Sequence, residues 1–209
     1  MTDRSLSDAP SSTSKASSTS TSLPSREEAW KLLCSWIKSD SLRKHALAVE
    51  AAMRHLARLR GGNPELWGLV GLLHDLDYEK YPTMEDHPYR GAEELRRRGY
   101  PEELVHAVLA HAEYTGTPRE SELDRTIFAV DELTGLITAA TLVRPDRSLH
   151  NLEPASVMKK MKDKRFAAGV DRDIIRRGAA ELGLELPELI AQVIAGMREA
   201  AAELGLDGE

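Results

Sequence analysis

Residues 63–75, which read NPELWGLVGLLHD, form the most apolar stretch of the chain and decide its fold class. Asn63-Pro64 is typical of a helix start, with a capping side chain followed by a proline in the first turn. The residues that follow are apolar on almost every side, which predicts a helix at the centre of the molecule. Two polar residues, His74 and Asp75, end this apolar stretch.

Helical patterns surround this central segment on both sides. A capping box at residues 25–28 opens a helix that is expected to end near Ser39, and Ser41 opens a second helix that stops at Gly61-Gly62. Further helices are predicted from His87-Pro88 to about Arg98, from Pro101 to about Ala112, and over 121–142, 154–168, 171–183 and 187–204. No stretch shows sustained alternation of β-branched residues. The sequence therefore predicts an all-α helical domain over residues 25–205.

The N-terminal residues 1–24 differ in composition from the rest of the chain. They are dominated by Ser and Thr and cannot bury enough apolar surface to offset the entropy of ordering, so we predict a disordered tail. No apolar run is long enough for a membrane span, and the tail lacks the apolar centre of a signal peptide. Cys34 is the single cysteine, which excludes an intramolecular disulfide. We expect a cytoplasmic protein with Cys34 as a small core residue.

The overall charge limits the class of ligand. The net charge is -6 and the pI is about 5.7, so no general excess of Lys and Arg exists to neutralise a nucleic-acid backbone. This excludes a protein that coats nucleic acids. A small phosphorylated ligand needs only a few cations at one place and remains compatible with this composition.

Histidine and aspartate occur at positions where the helical pattern predicts a core. His45 falls on an apolar stripe between Leu42 and Val49, and Asp131 follows an apolar run at 127–130. A buried carboxylate without a partner costs several kcal/mol, and a divalent cation offsets that cost while holding imidazole as a neutral ligand. Each residue taken alone is more often a satisfied core residue. Together with His74 and Asp75 they favour a nitrogen/oxygen site for manganese, iron, magnesium, cobalt or zinc.

The order of His45, then His74-Asp75 after an apolar run, then Asp131 resembles the H…HD…D signature of HD-domain phosphohydrolases. The resemblance covers about residues 41–142 and implies a helical bundle in which these four residues bind a divalent metal. It also implies hydrolysis of a phosphate ester or anhydride by metal-activated water, with Asp75 as a catalytic residue. The implied substrate is a nucleotide or another small phosphorylated metabolite.

Two further histidines resemble ligands of the two-metal branch of this family. His87 precedes a predicted helix, and His111 lies near the end of the next one. The resemblance implies that Asp75 bridges two metals and that His87 and His111 complete the second site. The alternative is a single metal, with both histidines facing solvent or substrate.

The substrate is not determined by the resemblance. The chain lacks the Arg-Pro-Gly turn of the enzymes that split diadenosine tetraphosphate, and it is closer to a group of bacterial predicted HD hydrolases. The segments that carry this likeness are residues 74–79, 130–135 and 161–166.

Basic residues outside the signature are candidates for binding substrate phosphates. They are Lys80 after the His-Asp doublet, Arg144 after the Asp131 helix, and Lys160 and Lys164 in a locally basic stretch. The alternative is that this stretch is a solvated helix face. Glu79 is a candidate general base, in competition with Asp77 and Glu132.

Three functions remain open at this point. The first is a phosphohydrolase; the second is a di-iron oxygenase, because some HD-like sites activate dioxygen; the third is a nucleotide-sensing module without turnover. The predicted C-terminal helix has a broad apolar face that closes the core or forms a homodimer contact, and we expect core closure.

Overall fold

A computed structural model describes residues 23–208, and within them the protein consists of α-helices and connecting loops. The all-α prediction is confirmed, because β pairing among these residues is limited to one isolated bridge between Ser148 and Asp207. Residues 1–22, most of the predicted disordered tail, lie outside the described residues, whereas Leu23 packs against the core. No helix of the described chain is long and apolar enough to cross a membrane.

The helices of the described residues are numbered in chain order. They are α1 Arg26–Trp36, α2 Asp40–Arg60, α3 Pro64–Leu73, α4 Tyr89–Arg97, α5 Glu102–Ala110, α6 Glu122–Leu142, α7 Pro154–Met161, α8 Arg172–Glu181, α9 Leu186–Arg198 and α10 Ala201–Leu204, with a 3₁₀ turn at Glu113–Thr115. The predicted capping box at residues 25–28 is present at the start of α1.

Helix α3 lies in the core, as its composition predicts. Every residue from Leu66 to Leu73 is buried, and α3 packs along α2. Gly71 makes this close approach feasible, because a Cβ there would lie 2.8 Å from the carbonyl oxygen of Val49. Helix α2 also packs against α6 and α9, so it lies between the central helix α3 and these two later helices.

Helix α9 closes the core, as expected for the C-terminal segment. Its apolar face, made of Leu189, Ile190, Val193, Ile194 and Met197, is buried within the chain. The predicted continuous helix over 187–204 was wrong, because the chain turns at Glu199 and Ala200 before α10. This turn brings Leu206 back to the bundle, where its carbonyl accepts a hydrogen bond from the amide of Leu149.

Two other predicted helix ends were also wrong. Helix α3 ends at Leu73 instead of running through Asp75, and the chain continues in tight turns, with the Leu76 amide bonded to the Leu73 carbonyl. Helix α7 ends at Met161 instead of residue 168. The guanidinium of Arg172 donates to loop carbonyls, including those of Ala167 and Val170, and this holds the segment in a non-helical path.

The first helix junction differs slightly from the prediction. Helix α1 ends at Trp36, and Ser39 rather than Ser41 caps α2. Cys34 is half-buried, whereas its neighbour Leu33 is fully buried. The core thus takes its apolar contacts in this region from Leu33 and Ile37.

Candidate metal centre

Four elements bring the signature residues together. His45 projects from α2, His74 caps the end of α3, Asp75 lies in the following turn, and Asp131 lies in the middle of α6. The Nε2 atom of His45 is 3.0 Å from Asp131 Oδ1 and 3.8 Å from Asp75 Oδ2. The Nε2 atom of His74 is 3.4 Å from Asp75 Oδ2 and 3.4 Å from Asp131 Oδ1. These atoms form one compact group of two imidazoles and two carboxylates.

A second group of ligand atoms shares Asp75 with the first. The Nε2 atoms of His87 and His111 lie 3.4 Å and 3.6 Å from Asp75 Oδ1. The other carboxylate oxygen, Oδ2, faces His45 and His74. One carboxylate therefore presents each of its two oxygens to a different pair of histidines, and each group is close enough to hold a metal ion.

Backbone and side-chain acceptors orient the rings of three histidines. The Nδ1 of His74 contacts the Gly71 carbonyl at 2.8 Å, and the Nδ1 of His111 contacts the Val108 carbonyl at 2.5 Å. The Nδ1 of His87 contacts Asp77 Oδ1 at 2.7 Å. An Nδ1 that donates to an oxygen leaves Nε2 as the free lone pair, which is the arrangement found behind metal-bound histidines.

Asp77 belongs to this supporting layer. Its side chain is fully buried, and its second oxygen accepts a hydrogen bond from the Gly91 amide at 2.6 Å. A Cβ on Gly91 would lie 3.2 Å from the Asp77 carboxyl carbon, so the glycine allows α4 to approach this carboxylate. Asp77 thus fixes His87 to the start of α4.

The ligand atoms fit a divalent metal. His74 is fully buried, and its Nε2 makes no hydrogen bond to any of the described residues. An unpaired buried nitrogen is costly, and Nε2 faces one carboxylate oxygen of Asp75 and one of Asp131, each 3.4 Å away. A cation at this point would satisfy all three groups, and imidazole with carboxylate suits Zn, Fe, Mn and Co.

In the absence of a cation, the histidines and aspartates of this cluster shift one another's pKa values. Burial lowers the pKa of His74, but the charges of Asp75 and Asp131 outweigh it and raise that pKa well above 6.5. Burial likewise opposes ionisation of the two aspartates, yet the neighbouring histidines hold the pKa of each carboxyl well below its usual range. The site therefore keeps its carboxylates ionised and attracts positive charge.

Five of these ligands, all but His74, line a cavity of about 530 Å³, which we call the metal cavity. Beside the metal ligands its wall consists of Tyr78, Ala112, Glu113, Tyr114, Phe128, Glu132, Gly135 and Ile174. Burial and the charge of Asp131 raise the pKa of Glu132 to about 7, and burial with the charge of Asp75 raises that of Tyr114 to about 12. The described residues that line this cavity include no lysine or arginine.

Comparison with known proteins agrees with this geometry. The family model described as HD domain matches residues 42–136, a range that contains all six candidate ligands. The chain contains an HD domain. No curated protein and no solved structure matches the chain. Members of the HD-domain superfamily bind divalent metals and are mostly metal-dependent hydrolases.

The structure does not bring the predicted base Glu79 to the metal cavity of the HD domain. One Glu79 oxygen accepts hydrogen bonds from the amides of Lys38 and Ser39, at 2.7 Å and 3.0 Å, immediately before α2. The prediction relied on helical spacing from Asp75, whereas residues 74–80 form turns that place Glu79 outside the lining of this cavity. Glu79 anchors the start of α2.

The predicted phosphate-binding cations also lie elsewhere. Lys80 stacks on Trp36, Lys160 stacks on Phe166, and Arg144 pairs with Asp146. Lys164 lines a separate cavity of about 700 Å³ between α7 and α8, outside the HD match. That cavity is larger, but it lacks histidine and a shared carboxylate. We therefore take the 530 Å³ cavity of the HD domain as the candidate functional site.

Sequence reasoning missed several residues of the cavity wall. Phe128 and Gly135 lie one turn before and after Asp131 on α6, so their helical spacing from a ligand was the available signal. Tyr114 follows His111 by three residues, and its hydroxyl donates to the His87 carbonyl at 3.1 Å. Ile174 comes from α8 and had no local signal.

Proposed function

We propose that this protein is a metal-dependent phosphohydrolase that cleaves an ester or anhydride bond in a nucleotide or another small phosphorylated metabolite. The observation that carries the proposal is the shared carboxylate of Asp75, whose two oxygens face two separate pairs of histidines. This arrangement supports two metal ions, with His45, His74 and Asp131 on one and His87 and His111 on the other. Bound metal would supply a Lewis acid that activates water and neutralises phosphoryl charge.

Glu132 is our candidate for proton transfer. It lines the cavity next to Asp131, and one of its oxygens accepts the Asp171 amide at 3.2 Å. The other carboxylate of the wall outside the ligand set, Glu113, pairs with Arg177 and lies 3.6 Å from Arg119. Glu132 thus keeps an oxygen to accept a proton from water or return one to the leaving group.

The test combines metal analysis with phosphate release. Protein purified without added metal is analysed for bound metals and assayed on a panel of phosphate monoesters, diesters and nucleotides. We expect about two equivalents of metal and hydrolysis of at least one class. Asp75→Ala should lose both metals and activity, because it removes the carboxylate common to both groups. His111→Ala should retain about one equivalent.

A surface histidine provides the control, because His150 is exposed and lies outside the cavity. His150→Ala should keep wild-type metal content and activity. The absence of bound metal after reconstitution would overturn the proposal. Tightly bound redox-active iron with oxygen-dependent turnover and no phosphate release would instead favour the oxygenase alternative. Nucleotide binding to the metal-loaded protein without any turnover would favour the sensor.

A further inference from the structure

A second cavity of about 340 Å³ adjoins the metal cavity. His45 and Gly135 line both cavities. The second cavity lies between the start of α2, the end of α6 and the C-terminal residues, and its wall is formed mainly by Ser41, Lys44, Thr138, Leu142, Leu204 and Leu206. It combines an apolar surface with two hydroxyls. None of these residues belongs to the ligand set.

Packing among the described residues gives no reason for residue 135 to be glycine. Six glycines lie inside the described helices, and for five of them a Cβ would come within 3.2 Å of another residue. At Gly135 the nearest such atom is Val170 Cγ2 at 3.7 Å, an ordinary contact. Glycine is unfavourable in a helix interior, so its presence here needs another reason. Gly135 lines both cavities and, because it has no side chain, fills no space in either of them.

The charges on the two cavity walls limit the kind of ligand group that can occupy both cavities. The described wall of the metal cavity contains no lysine or arginine, and Glu113 and Glu132 add carboxylates to it. In the second cavity Lys44 pairs with Asp40 at 3.0 Å, so that cavity carries little net charge. A polyphosphate chain extending from the candidate metal site into the second cavity would therefore meet no unpaired lysine or arginine among the described residues that line the two cavities. An uncharged group with apolar surface would meet a matching wall.

We infer that Gly135 and the second cavity bind the non-reacting part of the substrate, and that this part is uncharged and partly apolar. The substrate class is then a compound with a single phosphoryl group, held at the metals, and an organic moiety that extends past Gly135 towards Leu142. This inference rests on the proposed function only for the position of the phosphoryl group. It narrows the substrate from phosphorylated metabolites in general to monophosphorylated compounds with an uncharged tail.

Binding of n-alkyl phosphonates, from methyl to octyl, tests the inference without requiring turnover. Affinity for the metal-loaded protein is measured by calorimetry for each chain length. We expect affinity to rise by up to about fourfold for each methylene that reaches the second cavity. Leu142→Gln and Gly135→Leu should flatten this rise. Val143→Gln is the matched control, because Val143 is 59% exposed beside the 50% exposed Leu142 but does not line the cavity.

Gly135→Ala distinguishes a local effect on ligand binding from a folding defect of the bulkier Gly135→Leu. It adds one methyl without a close contact, so its Tm should not fall below that of the wild type and its metal content should be unchanged, whereas its affinity for the longer phosphonates should decrease. Affinity independent of chain length, or a rise that persists in Gly135→Leu and Leu142→Gln, would overturn the inference. Absence of phosphonate binding would overturn it as well. Failure of the proposed function is separate: chain-length-dependent binding would persist while the corresponding n-alkyl phosphates and nucleotides release no phosphate.

Discussion

At the residue scale, Asp75 is the centre of the candidate site. Its side chain is 16% exposed and lies within 3.8 Å of four imidazole nitrogens. The four rings are neighbours in the order His45, His74, His111 and His87, with centroids 5.1–5.3 Å apart. A mostly buried carboxylate beside four imidazoles is stable only where the ring nitrogens that do not donate a hydrogen bond meet a cation or carry a proton.

Asp77 is not a candidate metal ligand, but it holds the ring of His87, so its substitution should affect metal binding. Asp77→Asn should weaken metal binding by about 10- to 100-fold, since the side chain could no longer accept from both His87 and the Gly91 amide. The measurement is competition with a chelator of known affinity. Asp86→Asn is the control, because Asp86 pairs with Arg90 at the surface. Wild-type metal affinity in Asp77→Asn would contradict the supporting role of Asp77.

At the scale of elements, Glu79 connects the turn after α3 with the beginning of α2. Hydrogen bonds from the Ser39 and Lys38 amides lower the pKa of this carboxyl below 4.5. A lowered pKa in the folded state means that the stabilisation is present above the unfolded value and is lost as the pH falls through the folded value. Glu79→Ala should therefore lower Tm at pH 7, and the difference from wild type should shrink as the pH falls below 4.5.

The same variant distinguishes a structural role of Glu79 at the start of α2 from the predicted role as general base. Metal content and kcat should stay near wild type, because Glu79 does not line the metal cavity. Glu85→Ala, at an exposed position of the following loop, serves as the control and should leave Tm unchanged. A large loss of kcat with an unchanged Tm in Glu79→Ala would restore the general-base interpretation.

Packing between α6 and α8 makes a second prediction at this scale. A Cβ on Gly178 would lie 2.5 Å from the Cα of Ala129, which is backbone and cannot give way. Gly178→Ala should therefore destabilise the protein by about 1–3 kcal/mol, the usual range for overpacking. Gly135→Ala, also in this helix pair, should instead stabilise it by about 0.5–1 kcal/mol through helix propensity. Denaturant unfolding of both variants measures the contrast, and equal effects would contradict it.

At the scale of the whole molecule, the candidate metal ligands lie on segments that are distant in the chain. The ligands come from α2, the end of α3, the loops before α4 and after α5, and α6. A ligand that binds only the folded state stabilises it by about 2.7 kcal/mol when its free concentration is 100 times its Kd. Removal of metal with a chelator should therefore lower Tm, and readdition should restore it.

Asp75→Asn separates this effect from a general effect of the chelator. Its Tm should be insensitive to both chelator and added metal, because the carboxylate that faces both histidine pairs is absent. Thermal unfolding followed by circular dichroism is the measurement. An identical loss of Tm in wild type and Asp75→Asn on chelation would show that the stabilising metal lies elsewhere.

Local sequence patterns determined the fold class and the candidate ligands. Helical periodicity, the capping box at residues 25–28 and the apolar run at 63–75 are local signals, and each reports burial within one element. Histidine and aspartate on faces that are otherwise apolar stand out because burial of such groups is costly without a partner. His45, His74, Asp75 and Asp131 could therefore be named from the sequence and its resemblance to HD domains, before any distance between them was known.

Tertiary structure alone decided which other residues surround these ligands. Glu79 lies at the start of α2, and Lys164 lines a separate cavity. The turns after α3 and α7 determine these positions, because they set the path of the chain at each residue. Ile174 and Leu142 come to the two cavities from elements whose packing depends on contacts far apart in the chain. A solvated charge or an apolar residue on a cavity wall has no periodic signature of its own. Its position follows from how the helices pack, and that is set by the whole core rather than by any one segment.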